Sequence, residues 1–376
     1  MLTMFKIKVL FLIILSPIML ILGISIIGIG LTYDNTNIQY QENHLAYLKS
    51  EYYTDSYMPC DEQKLADFNI EQAYSDGTKL NELAIIGTHN SYQTHAYFSK
   101  RALETIVYYG IFGVKNNNAS FEMDTLTQQL EYGVRKLEMD IETVDDGEIS
   151  FIVTHEPIVD NVTSCYDFSK ALEEIAMWSD SNPNHLPIYL LIEPKNYVLP
   201  IKNMKNFSLK YALELDNVLR NVLGDRLLTP AIAMGEYASL SEMRSADNWP
   251  TLKDCAGKII VLLHPGNVTD AYIETDTTIK TQAMFPMLRM GDIDKTYASF
   301  IIDNDPYVAA NNKETAQEKN LIVRTRADSY PNFDDERYVA TDSCGAQIVT
   351  TDYPPRTVRE VQHTYTFNGY MFKLIK

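Results

Sequence analysis

The chain begins with Lys6 and Lys8, carries no charge from Val9 to Leu31, and turns polar at Thr32, Asp34, Asn35 and Asn37. The uncharged run is 23 residues long, enough at 1.5 Å per helical residue to cross a hydrocarbon core of about 30 Å. A cleaved secretory signal has a shorter apolar stretch and a small-x-small cleavage site. The pattern therefore predicts an uncleaved anchor over residues 1–32, with a cleaved signal peptide as the alternative that Pro17 leaves open. Positive residues precede the span and the acidic bulk follows it, so the positive-inside rule puts residues 33–376 outside the cytoplasm. They would be membrane-anchored or, after cleavage, secreted. Residues 33–80 are polar and Tyr-rich, with a helical pattern near Glu62 to Tyr74, and read as a stalk.

From Leu83 on, short apolar runs alternate with helical or loop stretches. The runs are Ala84 to Gly87, Val134 to Ile141, Phe151 to Thr154, Ile188 to Ile192, Lys258 to Leu263, Ser299 to Ile302, Leu321 to Arg324 and Ala346 to Thr350. Each is continuous in apolar character, as strands covered on both faces are, and the gaps are long enough for crossover helices. Eight strands in βα alternation predict an α/β fold, a closed (β/α)8 TIM barrel, as one domain over residues 81–376. An open doubly wound sheet is the alternative. No G-x-G-x-x-G or G-x-x-x-x-G-K-[ST] follows the first run, which removes the usual nucleotide-binding reason for an open sheet. The insertion from Thr94 to Asp124 lies over the first βα loop. Its apolar-aromatic stretch, Val107 to Phe112, reads as a packed lid or a lipid-interface ridge.

Charge narrows the function. Lys and Arg number 32 against 50 Asp and Glu, a formal net charge of 32 − 50 = −18. Such a balance argues against nucleic acid as a partner, because phosphate-backbone recognition needs clustered cations. Cys60, Cys165, Cys255 and Cys344 include no C-x-x-C spacing, so they suggest no metal or redox motif and fit zero to two disulfides.

In a parallel barrel the reactive groups sit at the carboxyl ends of strands. The first run ends in His89-Asn90. The second carries Glu138, Asp140 and Glu142 at a spacing of two, hence on one side. The third ends in His155 and the fourth in Glu193-Pro194-Lys195. Carboxylates crowded at a barrel mouth repel one another unless a cation or proton neutralises them. Asn90, Glu138, Asp140 and Glu193 are hard oxygen donors, which suit Ca2+, with Mg2+ second, and not the Cys/His set of structural zinc. Two imidazoles beside a divalent cation suit phosphoryl transfer, with one base, one acid and a metal to offset developing charge.

These residues resemble a known family. Gly87-Thr88-His89-Asn90-Ser91-Tyr92 and Gln129-Leu130-x-x-Gly133-Val134-Arg135-x-Leu137-Glu138-x-Asp140 are similar to the catalytic domain of phosphatidylinositol-specific phospholipases C, particularly the calcium-dependent bacterial and fungal branch. Thr154-His155, Glu193-Pro194-Lys195, Arg324-Thr325-Arg326-Ala327-Asp328 and the segment from Gly345 to Tyr353 extend the resemblance over residues 80–355. It implies a barrel of the PLC-like phosphodiesterase type, with His89 and His155 as the catalytic pair and calcium on Asn90, Glu138, Asp140 and Glu193. The metal-free enzymes have an arginine where this chain has Asp140, so a cation should replace that guanidinium.

On this reading His89 deprotonates the inositol 2-hydroxyl for attack on phosphorus, and His155 protonates the departing diacylglycerol oxygen, leaving inositol 1,2-cyclic phosphate. Lys195 is the candidate phosphate contact, and Arg324 and Asp328 are candidates for the headgroup hydroxyls. Asp352, at the end of the last strand beside the first, would hold the His89 tautomer. The implied partner is phosphatidylinositol or a related inositol lipid at a membrane surface; no protein partner is inferred. Two alternatives stand: a glycerophosphodiester phosphodiesterase, which normally has His-Arg where this chain has His89-Asn90, and a non-catalytic membrane-anchored binding protein.

Overall fold

Eight parallel strands close into a barrel in the computed structural model, which describes residues 34–94, 122–156, 160–196, 203–329, 334–355 and 364–375. The strands are β1 (Leu83–Thr88), β2 (Lys136–Asp145), β3 (Ile149–Val153), β4 (Ile188–Pro194), β5 (Met204–Lys205), β6 (Ile259–Leu263), β7 (Phe285–Leu288), β8 (Phe300–Ile302), β9 (Ile322–Arg326), β10 (Ile348–Thr351) and β11 (Phe372–Leu374). Around the barrel the order is β1, β10, β9, β8, β7, β6, β4, β2, and β2 meets β1 again at Gly87 and Lys136. β3 and β5 flank β2, and β11 flanks β1, all antiparallel. Every residue of β1, β6, β7, β8 and β10 is buried, as continuous apolar runs covered by helices should be.

Two strand assignments change. The run Phe151 to Thr154, expected as a barrel strand, is the return arm of a hairpin: Ile141 pairs with Val153 and Asp145 with Ile149. The turn between them contains Asp146-Gly147, with Gly147 at φ 121°, and is far too short for a crossover helix. Its continuous apolar character comes from packing, with Phe151 edge-on to Phe168 of the helix Phe168–Ser181. The missing barrel strand is β7, where Pro286 stands second and breaks the β-rich pattern.

The lead-in expected as a stalk lies on the barrel wall. Residues 34–47 are helical. Leu45 and Leu48 are buried, Asn37 donates to the Asn161 carbonyl (2.6 Å), and His44 Nε2 lies 3.0 Å from Glu174 Oε1. Further on, Glu62 Oε1 accepts from Arg135 Nε (2.7 Å), and the Arg135 guanidinium stacks over Trp178. Among the described residues no helix is long and apolar enough to cross a membrane. The run from Val9 to Leu31, and Val107 to Phe112 of the insertion, lie outside the described residues. All four cysteines are free thiols, buried except for the half-buried Cys60.

Candidate functional site

The carboxyl end of β1 is shaped by one buried glutamine. Gln129 accepts from the Thr88 hydroxyl (2.7 Å) and donates to the carbonyls of Ser91 and Asp124 (both 2.7 Å). The main chain of Ser91 donates to the Glu138 carbonyl (3.0 Å), and Ser91 Oγ accepts from Glu138 N (2.8 Å). These bonds fix His89-Asn90 beside β2. Asn90 is buried and left-handed (φ 45°), a conformation that asparagine tolerates far better than branched residues do.

Three carboxylates converge at this rim. Glu138, Asp140 and Glu193 each offer an oxygen, all within 4.8 Å of one another. Glu138 is buried; burial alone would raise its pKa, but Lys136, Arg324 and His89 outweigh it and hold the carboxyl well below the usual range. Its Oε2 accepts from Lys136 Nζ and from Arg324 (3.0 Å). Asp140 Oδ2 accepts from the Tyr92 hydroxyl (2.9 Å), while Oδ1 is buried with no hydrogen-bond partner. Burial pushes Asp140 up to about 6, with Lys195 opposing and Glu193 adding. Lys195 Nζ bridges Asp140 Oδ2 (3.0 Å) and Glu193 Oε1 (2.8 Å). Burial lowers its pKa, but these two acids raise it more. An all-oxygen cluster with an unsatisfied buried carboxylate oxygen fits a hard divalent cation of the calcium type.

A histidine stands to each side. His89 Nδ1 lies 3.1 Å from Asp352 Oδ1, and its Nε2 is 3.8 Å from Glu138 Oε1. Asp352 is buried and also accepts from Arg326 (3.0 Å). His155 follows β3, with Nδ1 2.9 Å from Asp160 Oδ2. Burial lowers the pKa of His155, but the bond to Asp160 and the charges of Asp160 and Asp140 outweigh it, leaving it raised. Although β3 is not a barrel strand, its pairing with β2 carries His155 to the same rim.

Two expected headgroup contacts have inward partners. Arg324 is buried and donates to Thr350 Oγ1 (3.0 Å), Asn304 and Glu138. Asp328 accepts from the Asp352 main chain (2.6 Å), the Tyr338 hydroxyl (2.9 Å) and Thr351, so it supports Asp352. Burial first, then the Asp352 charge, raises Asp328 to about 6. Four site residues escape the sequence reading. Arg326 was findable, since it follows Arg324 by two on one strand and so shares its face. Asp160, Gln93 and His264 come from loops. His264 Nε2 lies 4.0 Å from Glu193 Oε2.

The profile of the family described as phosphoinositide phospholipase C, Ca2+-dependent, matches residues 78–150 and 148–374. No curated protein matches the chain by sequence. Among solved structures, the calcium-dependent phosphoinositol-specific phospholipase C of a Pseudomonas species shares 18% identity at a TM-score of 0.54, covering 79% of this chain and 96% of its own. The Ca2+-dependent phosphatidylinositol-specific phospholipase C of Streptomyces antibioticus shares 19% at 0.53, covering 73% and 95%. Both have the same barrel fold as this chain.

Proposed function

The chain belongs to the Ca2+-dependent phosphoinositide phospholipase C family, and from that premise we propose how its residues cleave an inositol phospholipid. It is a calcium-dependent phosphodiesterase of phosphoinositides; the catalytic steps and residue roles are our reading. The observation that carries it is the position of His89, with Nδ1 on Asp352 (3.1 Å) and Nε2 facing the acidic cluster 3.8 Å from Glu138.

Asp352 keeps the proton of neutral His89 on Nδ1, which leaves Nε2 basic. Nε2 takes the proton of the inositol 2-hydroxyl as that oxygen forms its bond to phosphorus. The bond from phosphorus to the glycerol oxygen breaks, its electron pair stays on that oxygen, and His155 supplies the proton. The products are diacylglycerol and inositol 1,2-cyclic phosphate. Asn90, Glu138, Asp140 and Glu193 would hold calcium, which when bound would supply positive charge to offset the negative charge building on the phosphoryl oxygens. Lys195, already between Asp140 and Glu193, is assigned to the phosphate.

Replacing His89 by alanine tests the reading. Lipid turnover should fall by about 10²- to 10⁴-fold while calorimetric calcium binding persists. Turnover that survives the substitution would refute the assignment of His89 as base.

A further inference from the structure

The lead-in helix, residues 34–47, descends the barrel wall from the catalytic rim, held by one face. Asn37, Gln41, Leu45 and Leu48 are 3%, 1%, 5% and 1% exposed and recur every three or four residues. This face follows the helix Phe168–Ser181 from start to end. Gln41 Nε2 donates to the Asp167 carbonyl (2.9 Å) and Gln41 Oε1 accepts from Asp167 N (2.8 Å) at its start. Lys49 Nζ reaches Glu173 (2.6 Å), and Cys60 N donates to Asn182 Oδ1 (2.7 Å) at its end. That helix carries the chain from the catalytic rim back to the start of β4, so the lead-in begins at the rim as well. Its first residue, Asp34, accepts from Asn161 Nδ2 (2.7 Å), and Asn37 donates to the Asn161 carbonyl. Asn161 adjoins Asp160, which bonds His155.

The uncharged run from Val9 to Leu31 is thereby tied to the catalytic end. Leu31 precedes Asp34 by three residues, a reach of at most about 11 Å. The helix that spans the wall has 14 residues and is about 21 Å long, so this reach does not extend to the amino end of the barrel. We propose that the run anchors the protein in a bilayer and that the docked lead-in turns the catalytic rim toward that same bilayer, so that the lipid cleaved comes from the membrane that holds the enzyme. Anchoring rests on the length and charge of the run. Cleavage of the lipid rests on the catalytic reading above; the orientation does not. A flexible stalk would let the barrel face away and work on a neighbouring membrane. Gln41 and Leu48, buried against the wall, deny that freedom, and the tether makes capture of lipid from the same surface intramolecular.

Orientation is tested on the full-length protein in phosphatidylcholine vesicles, with a fluorescent donor at one of two exposed positions in a Cys60→Ser background. Tyr307→Cys places it in the first turn of the helix after β8, at the rim. Ile232→Cys places it at the amino end, where Leu228 N donates to the carbonyl of Ile259, the first residue of β6. Energy transfer to an acceptor lipid should be stronger from Tyr307→Cys; equal transfer, or the reverse order, overturns the orientation. Gln41→Ala removes both bonds to Asp167 and should narrow the difference, and an unchanged difference overturns the role of the dock. The unaltered protein gives a second measurement that no variant's folding can spoil. Phosphatidylinositol in its own vesicles should turn over at least about 10-fold faster than the same lipid in separate vesicles, and equal rates overturn the same-membrane claim. Asymmetric transfer with no turnover of either pool refutes the catalytic reading and upholds the orientation. Protein that an alkaline wash strips from the vesicles refutes the anchor, and the proposal with it.

Discussion

The barrel closes where β1 meets β2, at the single register pair Gly87 and Lys136, and this seam makes Gly87→Ala an informative perturbation. A Cβ on Gly87 would lie 2.5 Å from Lys136 Cβ, 2.7 Å from its Cδ and 2.8 Å from its carbonyl oxygen. The lysine cannot swing away. It is fully buried, and its ammonium bonds the Thr88 carbonyl (3.0 Å) and Glu138. Restoring ordinary carbon contact needs a separation of about 1 Å. That displacement falls between the strand carrying His89 and the strand carrying Glu138 and Asp140. Overpacking costs typically about 1–3 kcal/mol, and because backbone is among the clashing atoms we expect the upper end. A misplacement of about 1 Å in a catalytic constellation lowers rate by roughly 10²-fold. Urea unfolding followed by fluorescence of the buried Trp178 and Trp249, with lipid turnover on the same preparations, reads both quantities. A variant within about 0.5 kcal/mol of wild type and fully active would show that this seam does not set the site.

Asp352→Asn should lower kcat by about 10²- to 10³-fold through loss of the His89 tautomer and leave KM nearly unchanged; a change confined to KM would assign Asp352 to binding. Glu193→Gln should weaken calcium by at least about 10-fold in calorimetry, and an unchanged affinity would remove Glu193 from the metal. His185 is buried, with Nδ1 donating to the Leu186 carbonyl (2.7 Å) and Nε2 accepting from Ser179 (2.8 Å). Burial lowers its pKa to about 3. Below its ordinary value of about 6.5 the unfolded chain takes a proton that the folded chain refuses, so stability is full above that pH and declines as pH falls toward 3. At pH 5 the loss is about 2 kcal/mol. A His185→Gln variant with the same decline between pH 8 and pH 5 as wild type would disprove that contribution.

What could be read from residues alone follows from periodicity. Glu138 and Asp140 lie two apart on a strand whose next neighbour ends in Glu193, so their convergence was visible once the barrel was recognised. Asp160 was not visible, because it comes from a loop, which has no period, and its value lies in the return of Asp160 onto His155. Gln129 stands in a motif, but its three bonds depend on where the β1 loop folds back. The inward partners of Arg324 and Asp328 were hidden for a related reason: strand spacing says which side a residue faces, but not which neighbour reaches it first. Pro286 concealed β7, and the uninterrupted apolar run 151–154 disguised a hairpin arm as a barrel strand.

The central claim is calcium-dependent cleavage of an inositol lipid through attack by its own 2-hydroxyl. Phosphorus NMR of phosphatidylinositol dispersions with the purified full-length protein, first with calcium and then with chelator, tests it most directly. The account predicts a cyclic phosphodiester resonance that grows with calcium and stops with chelator. Appearance of only an acyclic inositol phosphate from the first turnover, or a cyclic product that forms equally in chelator, would contradict it.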